Sequence, residues 1–297
     1  TDYKYCLRRL QRTAKATLNQ ANFKQRKAQI NIPLYFFVIC MADVIVPAIQ
    51  EAFKLITSGD PEFYATIYRT IYVSSVGTLL ACVWSIPVAV ILGLYNFRGK
   101  WVIKGIFNAL IGIPTVALGL FLYLLLSRQG ELGSFHLLYT VNGIALGQAI
   151  LVTPIIVSFV TKALETADMQ LRDLAKTLGA SGLRTDLTMM RETFWSMVLA
   201  VTAGFNRGFG ELGIATIVGG SLFGNGTIFG GTRVLTTSIA LEINFGHFSI
   251  AMAFAIILLT IVFALALSIS LIERIRNEAT SWNKLTFWRR FRRKLET

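Results

Sequence analysis

No Asp, Glu, Lys or Arg occurs between Arg69 and Arg98, between Lys104 and Arg128, or across residues 132–161. Charge-free stretches of this length constrain the chain more than any motif does. A helix needs about 20 predominantly apolar residues to cross a hydrocarbon core ~30 Å thick. Composition alone would not settle the class: 54% of the 297 residues are hydrophobic, against roughly 45–50% apolar in soluble domains by a slightly different count. In hydrocarbon every backbone N–H and C=O must be satisfied within the segment. The runs are uninterrupted rather than alternating, so they read as helices and not as barrel strands.

The expected class is therefore an all-α integral membrane protein, a polytopic helical bundle of five or six spans. Strong spans are expected at about 71–94, 105–126, 142–160, 197–222 and 248–272, with Pro87, Pro114 and Pro154 inside three of them as kink sites. A weaker span covers 30–50, interrupted by Asp43 and Pro47. Residues 1–29 form a basic arm without the short apolar run and small-residue cleavage site of a signal peptide. After the weak span, 48–63 reads as an interfacial amphipathic helix that ends at Gly59-Asp60-Pro61. Residues 51–272 would then be the transmembrane domain and 273–297 a basic tail.

Orientation follows from the cations. Of 29 Lys and Arg, 24 fall in 1–29, 96–104, 161–193 and 272–297, and this asymmetry places those segments in the cytoplasm. Both termini are cytoplasmic if 30–50 spans the membrane. Without that span the basic arm would start outside, which favours six spans.

The net charge of +13 sits in tails and loops, so topology explains it without nucleic acid. The tail residues Arg289, Arg290, Arg292, Arg293 and Lys294, beside Trp282, Phe287 and Trp288, suit an anionic lipid surface, at about 1 kcal/mol per basic residue. Cys6, Cys40 and Cys82 lack CxxC spacing, and His136 and His247 flank apolar runs, so no metal site is expected. There is no phosphate-binding loop, no HExxH and no GxSxG motif, which argues against an ATPase or a membrane-embedded hydrolase.

The informative stretch is the loop 162–193. Leu171, Leu174, Ala175 and Leu178 recur at helical spacing and are followed by Gly179-Ala180-Ser181-Gly182, a helix stop and turn. Asp173-Leu174-Ala175, three residues, then Gly179-Ala180-Ser181 resembles the EAA loop of ABC importer permeases, with Gly179 as the glycine of its turn. Asp173 stands where that family usually has glutamate, and Met189-Met190-Arg191-Glu192 replaces a Leu-Pro ending. The stretches 204–213 and 232–242, and Ser58-Gly59-Asp60-Pro61, resemble the tungstate branch of the molybdate, tungstate and sulfate permeases.

The resemblance implies the type I importer (MetI-like) fold and a homodimer around a central path. It implies two cytoplasmic ATPase subunits docked on the 173–181 loop, with ATP and Mg bound there and no cofactor on this chain. An extracytoplasmic oxyanion-binding protein would deliver tungstate, molybdate or sulfate, and the location would be the cell inner membrane. Without the resemblance, a self-contained anion channel or an ion-coupled carrier is the alternative.

Arg207 and Glu211 lie four residues apart in an apolar segment, where a central arginine costs ~2.5–3.5 kcal/mol on insertion scales. That spacing allows them to pair. They are expected either to set the potential of an oxyanion path and its gate or to form a buried structural pair. Gly204-x-x-x-Gly208 should let another helix approach closely. The glycine-rich stretch 219–231 is either a flexible linker or an external docking loop, and Arg233 beside it is a candidate for anion passage or docking.

Overall fold

The computed structural model describes residues 57–167 and 169–295, together with 46, 47, 49, 50, 53 and 54. The basic arm 1–29 and most of the weak span 30–50 lie outside the described residues. Ten α-helices follow in order: α1 Pro61–Leu94, α2 Lys100–Leu110, α3 Thr115–Leu126, α4 Val141–Glu165 and α5 Met169–Thr177. They continue with α6 Gly182–Glu192, α7 Phe194–Phe209, α8 Gly213–Gly219, α9 Leu235–Phe245 and α10 Phe248–Leu295.

α1 begins well before the expected 71. The same Gly59-Asp60-Pro61 that ends the preceding segment starts this helix: Gly59 turns the chain at φ +70°, Asp60 Oδ1 accepts from Glu62 N at 3.1 Å, and Pro61 opens the first turn. The earlier start carries Arg69 into the helix, where it is fully buried. At ~1.5 Å per residue, the 34-residue helix is about 51 Å long, enough to connect both ends of the bundle.

α1 and α4 form the central pair. Gly77, Ala81, Ser85, Ala89 and Gly93 recur every fourth residue along α1, so one small-residue stripe faces α4. A Cβ at Gly77 would lie 2.8 Å from the Ala145 carbonyl, and one at Gly93 2.7 Å from Leu164 Cβ. Around that crossing Ala81, Ala89, Ala149, Val152, Ile156, Val160 and Leu164 form a core that α6 and α7 join through Met189, Met197 and Ala200. Pro87 and Pro154 stay inside their helices.

Two expected spans are divided. The 105–126 run is α2 and α3, bent by 100° at a short break. Pro114, with no N–H to continue a helix, becomes the N-cap of α3. The 197–222 run is α7 and α8, separated at Gly210, Glu211 and Leu212. By length and composition α1, α4 and residues 248–268 of α10 can each cross a membrane, and the bent α2–α3 pair makes a fourth candidate. The helix expected to end near 272 runs on to Leu295.

Candidate functional site

At one end of α1, α5 and α6 form a helical hairpin. Leu178 N donates to Leu174 O and Ala180 N to Ala175 O, both at 3.0 Å, closing the end of α5. Gly179 then turns at φ +81°, with open space where a Cβ would stand. Asp173, Leu174, Gly179 and Ser181 are exposed, while Ala175 and Ala180 are half-buried. Leu174 and Leu178 on one arm and Leu183 and Leu187 on the other stand 55% to 79% exposed, an uncovered apolar surface at the tip.

The base of the hairpin is fixed. Arg172 Nη1 donates to Leu94 O at 2.6 Å, and its guanidinium lies 5.9 Å from the Tyr95 ring centroid. The Tyr95 hydroxyl donates to Asp186 Oδ2, and Met189 is fully buried in the α1–α4 core. The hydrogen bond to Asp186 and that carboxylate's charge push the Tyr95 phenol above its ordinary pKa, with desolvation in the same direction and Arg172 opposing. The sequence reading did not single out Arg172, Tyr95 or Asp186, since no local spacing links residues so far apart in the chain.

The second group lies at the α7–α8 break. Arg207 Nη1 donates to Glu211 Oε2 at 2.9 Å, so the expected pair forms. It does not lie along one helix, because α7 ends at Phe209. Glu211 Oε1 accepts from Gly213 N at 2.7 Å and Ile214 N at 3.3 Å, making it the side-chain cap of α8. Thr236 Oγ1 donates to the Glu211 carbonyl at 2.9 Å and ties the break to α9. The Arg207 side chain is 38% exposed whereas that of Glu211 is 3% exposed. Gly204 packs on Val152 and Ile156 of α4, and Gly208 on Val152 and Gln148, as the small-residue spacing predicts.

The third group occupies the opposite end of α1. Arg69 donates through Nε to Ile228 O at 2.9 Å, through Nη1 to Arg233 O at 2.7 Å and through Nη2 to Thr227 O at 2.8 Å. Glu62, 3.3 Å from Arg69 Nη1, accepts from Gly224 N at 3.3 Å and Gly226 N at 3.0 Å. The 219–231 stretch is therefore a pinned loop, and the flexible-linker alternative fails. Arg233 does not project from it as a free cation: it is buried, 3.6 Å from Glu242 and 3.6 Å over the Phe223 ring. Burial pulls its guanidinium below the usual pKa, with Glu242 and Glu62 opposing. Sequence reasoning missed Glu62 and Arg69, and the available signal was an acid and a base seven residues apart, on one face of a helix beginning at Pro61.

The family description "Binding-protein-dependent transport system inner membrane component" matches residues 85–274. The chain belongs to this family. That transport component is 34% identical over 223 residues to the tungstate uptake system permease protein TupB of Peptoclostridium acidaminophilum, covering 75% of this chain and 95% of the relative. It is 35% identical to TupB of Campylobacter jejuni, covering 75% and 91%. A molybdenum transport permease, ModB of Haemophilus influenzae, is 32% identical over 45% of this chain and 63% of its own. In three dimensions the component matches a chain of a bacterial alginate ABC transporter crystallised with a pentasaccharide-bound periplasmic protein. The TM-score is 0.57 at 16% identity, covering 84% and 93%, which shows the fold.

The family match takes in both the α5–α6 hairpin and the α7–α8 break, and it starts inside α1 at residue 85. Glu62 and Arg69 lie ahead of it.

Proposed function

We propose that this chain is the membrane-spanning subunit of an ATP-driven oxyanion importer, with tungstate as its first candidate substrate. The observation that carries the reading is the pair of TupB permeases matched over 95% and 91% of their own length. Two copies would enclose a central path, and each would hold one ATPase subunit that binds ATP and Mg. An external binding protein would deliver the anion. The translocating chain itself would catalyse no bond breakage.

The geometry supports a division of labour. α5 and α6 lie at the end assigned to the cytoplasm by the distribution of Lys and Arg. Their leucine tip offers an ATPase an apolar ridge on a rigid base, with Asp173, Leu174, Ala175, Gly179, Ala180 and Ser181 in its first arm and turn. Motion there reaches α1 through Arg172 and the core through Met189. At the other end, the pinned glycine-rich loop presents Leu222, Phe223 and Phe229 to the outside, each at least half exposed.

Of the three arginines at the α7–α8 break and the glycine-rich loop, Arg207 is the one with open surface. It is the cation we assign to the oxyanion path, held by Glu211. Arg233 acts on the outer gate through Phe223 and Glu242 rather than by meeting the anion.

The test is ATP hydrolysis by the chain reconstituted with its ATPase and binding protein while tungstate, molybdate and sulfate are titrated. Stimulation by one oxyanion establishes coupling and substrate together. A chain that recruits no ATPase and responds to none of the three ends the importer reading.

A further inference from the structure

A cavity of about 260 Å³ opens between α2 and α4, beside the last turn of α1. Two helical faces give it polar walls. Lys104 and Asn108, four residues apart on α2, oppose Ser158, Thr161, Lys162 and Glu165 on α4. None of these residues belongs to the hairpin, the α7–α8 break or the glycine-rich loop.

The charges around the cavity do not cancel. Glu165 is engaged twice, by Lys104 Nζ at 2.6 Å and by Lys100 Nζ at 3.1 Å. Lys162 has no ion pair among the described residues. Two ammonium groups against one carboxylate leave the cavity lining with a surplus of one positive charge, and Lys100, just outside the lining, adds a second.

A neutral donor is also left over. Ser158 Oγ is buried without a hydrogen-bond partner, although buried polar atoms are almost always paired. By contrast, Thr161 Oγ1 reaches Ala89 O and Thr166 Oγ1 reaches Lys162 O, so the neighbouring hydroxyls are engaged within the protein.

We propose that this cavity is a binding site for a tetrahedral oxyanion, held by Lys162 and Lys104 with the Ser158 hydroxyl and the Asn108 amide as neutral donors. Ammonium and amide groups along one half-open cleft, with the Ser158 hydroxyl able to turn into it about χ1, suit an acceptor-only ligand with several oxygens. The repulsion from Glu165 is offset by the two lysines on its oxygens. The same chemistry is offered by two sources: a free dianion at the inner mouth of the path, or the phosphate of a phospholipid headgroup. The site stands on the cavity alone, and only tungstate as one probe rests on the importer reading.

The test uses the full chain without the binding protein. In the first arm the chain is held in a maltoside detergent that carries no phosphate, and tungstate and inorganic phosphate are titrated with the bound anion counted directly. In the second arm the chain is in nanodiscs that contain phosphatidylglycerol, and retention of that lipid on the protein is followed by native mass spectrometry. Saturable binding is expected in at least one arm, weakened about tenfold by Lys162→Gln or Ser158→Ala, the scale of one charge-assisted hydrogen bond. Lys162→Arg should hold the anion, and Lys54→Gln should match wild type. Binding confined to the first arm assigns a free oxyanion, and binding confined to the second assigns a lipid. Absence of saturable binding in both arms, or binding indifferent to Lys162→Gln and Ser158→Ala, overturns the proposal. Should Lys162→Gln fail to fold, Ser158→Ala and Lys162→Arg still decide it. Hydrolysis of ATP is not the readout, so failure of the importer reading is scored separately.

Discussion

Arg207 and Glu211 face each other across a helix break, with the Glu211 carboxylate shared between the arginine at 2.9 Å and the first amides of α8. One oxygen neutralises a cation in an apolar layer while the other ends the unpaired state of two N–H groups. The pair therefore couples the charge of the proposed path to the geometry of the break.

Glu211→Gln keeps an oxygen for the α8 amides and loses the ion pair, whereas Glu211→Ala loses both. The alanine variant is expected to be about 1–3 kcal/mol less stable, from a lost cap and an uncompensated arginine. Glutamine should fall between alanine and wild type. Thermal unfolding in detergent measures this, and an alanine variant that melts with wild type would remove the capping role.

Gly179 has room for a side chain but not the backbone conformation for one. Gly179→Val should cost about 1–2 kcal/mol at the turn because φ is +81°, and Gly179→Asn less, since asparagine tolerates the left-handed region. In the reconstituted transporter, ATPase stimulation should drop in the order wild type, Asn, Val. Equal stimulation in all three would show that the turn's shape does not matter for docking.

The Glu62–Arg69 clamp ties the 222–231 loop to α1. Arg69→Gln is expected to cost about 1–3 kcal/mol or more, because it strips the carbonyls of Thr227, Ile228 and Arg233 of their donor and leaves the partly buried Glu62 without its cation. Amide hydrogen exchange should speed up across the loop and leave α5–α6 unchanged. Slow exchange throughout the loop in the variant would mean that other contacts hold it.

Tyr95→Phe should loosen the base of the hairpin by freeing Asp186, without touching the leucine tip. The Tyr95 phenol has its folded pKa raised, so the folded state holds this proton more tightly than the unfolded chain does. Its stabilising contribution is complete below the unfolded value, about 10, and fades as pH rises through the folded one. Near neutral pH the wild-type hairpin should therefore be insensitive to pH at this bond. Exchange rates of the α6 amides in the two proteins at pH 7 and above 10 check this: the difference seen at pH 7 should shrink at the higher pH.

Gly204 is a tight contact between α7 and α4, where a Cβ would lie 2.6 Å from Val152 Cγ1. Gly204→Val is expected to lose about 1–3 kcal/mol or more through overpacking. Partial rescue by Val152→Ala would show that the clash is local. A variant as stable as wild type would mean that the two helices can separate freely.

Much of this arrangement was legible in residue order. Pro114 marked a kink and proved to be the cap that bends α2 from α3 by 100°. Gly204 and Gly208 marked a close helix contact, which proved to be with α4, and the four-residue spacing gave the Arg207–Glu211 pair. The charge of Arg233 was visible in the sequence, whereas its partners, Glu242 and Phe223, come from either side of a loop whose folding no local pattern encodes. Arg69 was passed over because it sits at the edge of a hydropathy window, and only the early start of α1 turns it inward.

By itself the sequence determined the helical membrane class and the hairpin's turn, and its cations set the expected polarity of the bundle. Hydrophobic run length, cation distribution and glycine backbone freedom are properties of short segments, and they hold wherever the segment goes. Tertiary structure decided which charges are free and which are committed. That Glu62 and Arg69 fasten a loop some 160 residues away, that Glu211 caps a helix, and that Ser158 is left without a partner beside Lys162 depend on which helices lie side by side. A charge's partner is set by distance in space, and in a bundle that distance is fixed by packing along the small-residue face of α1.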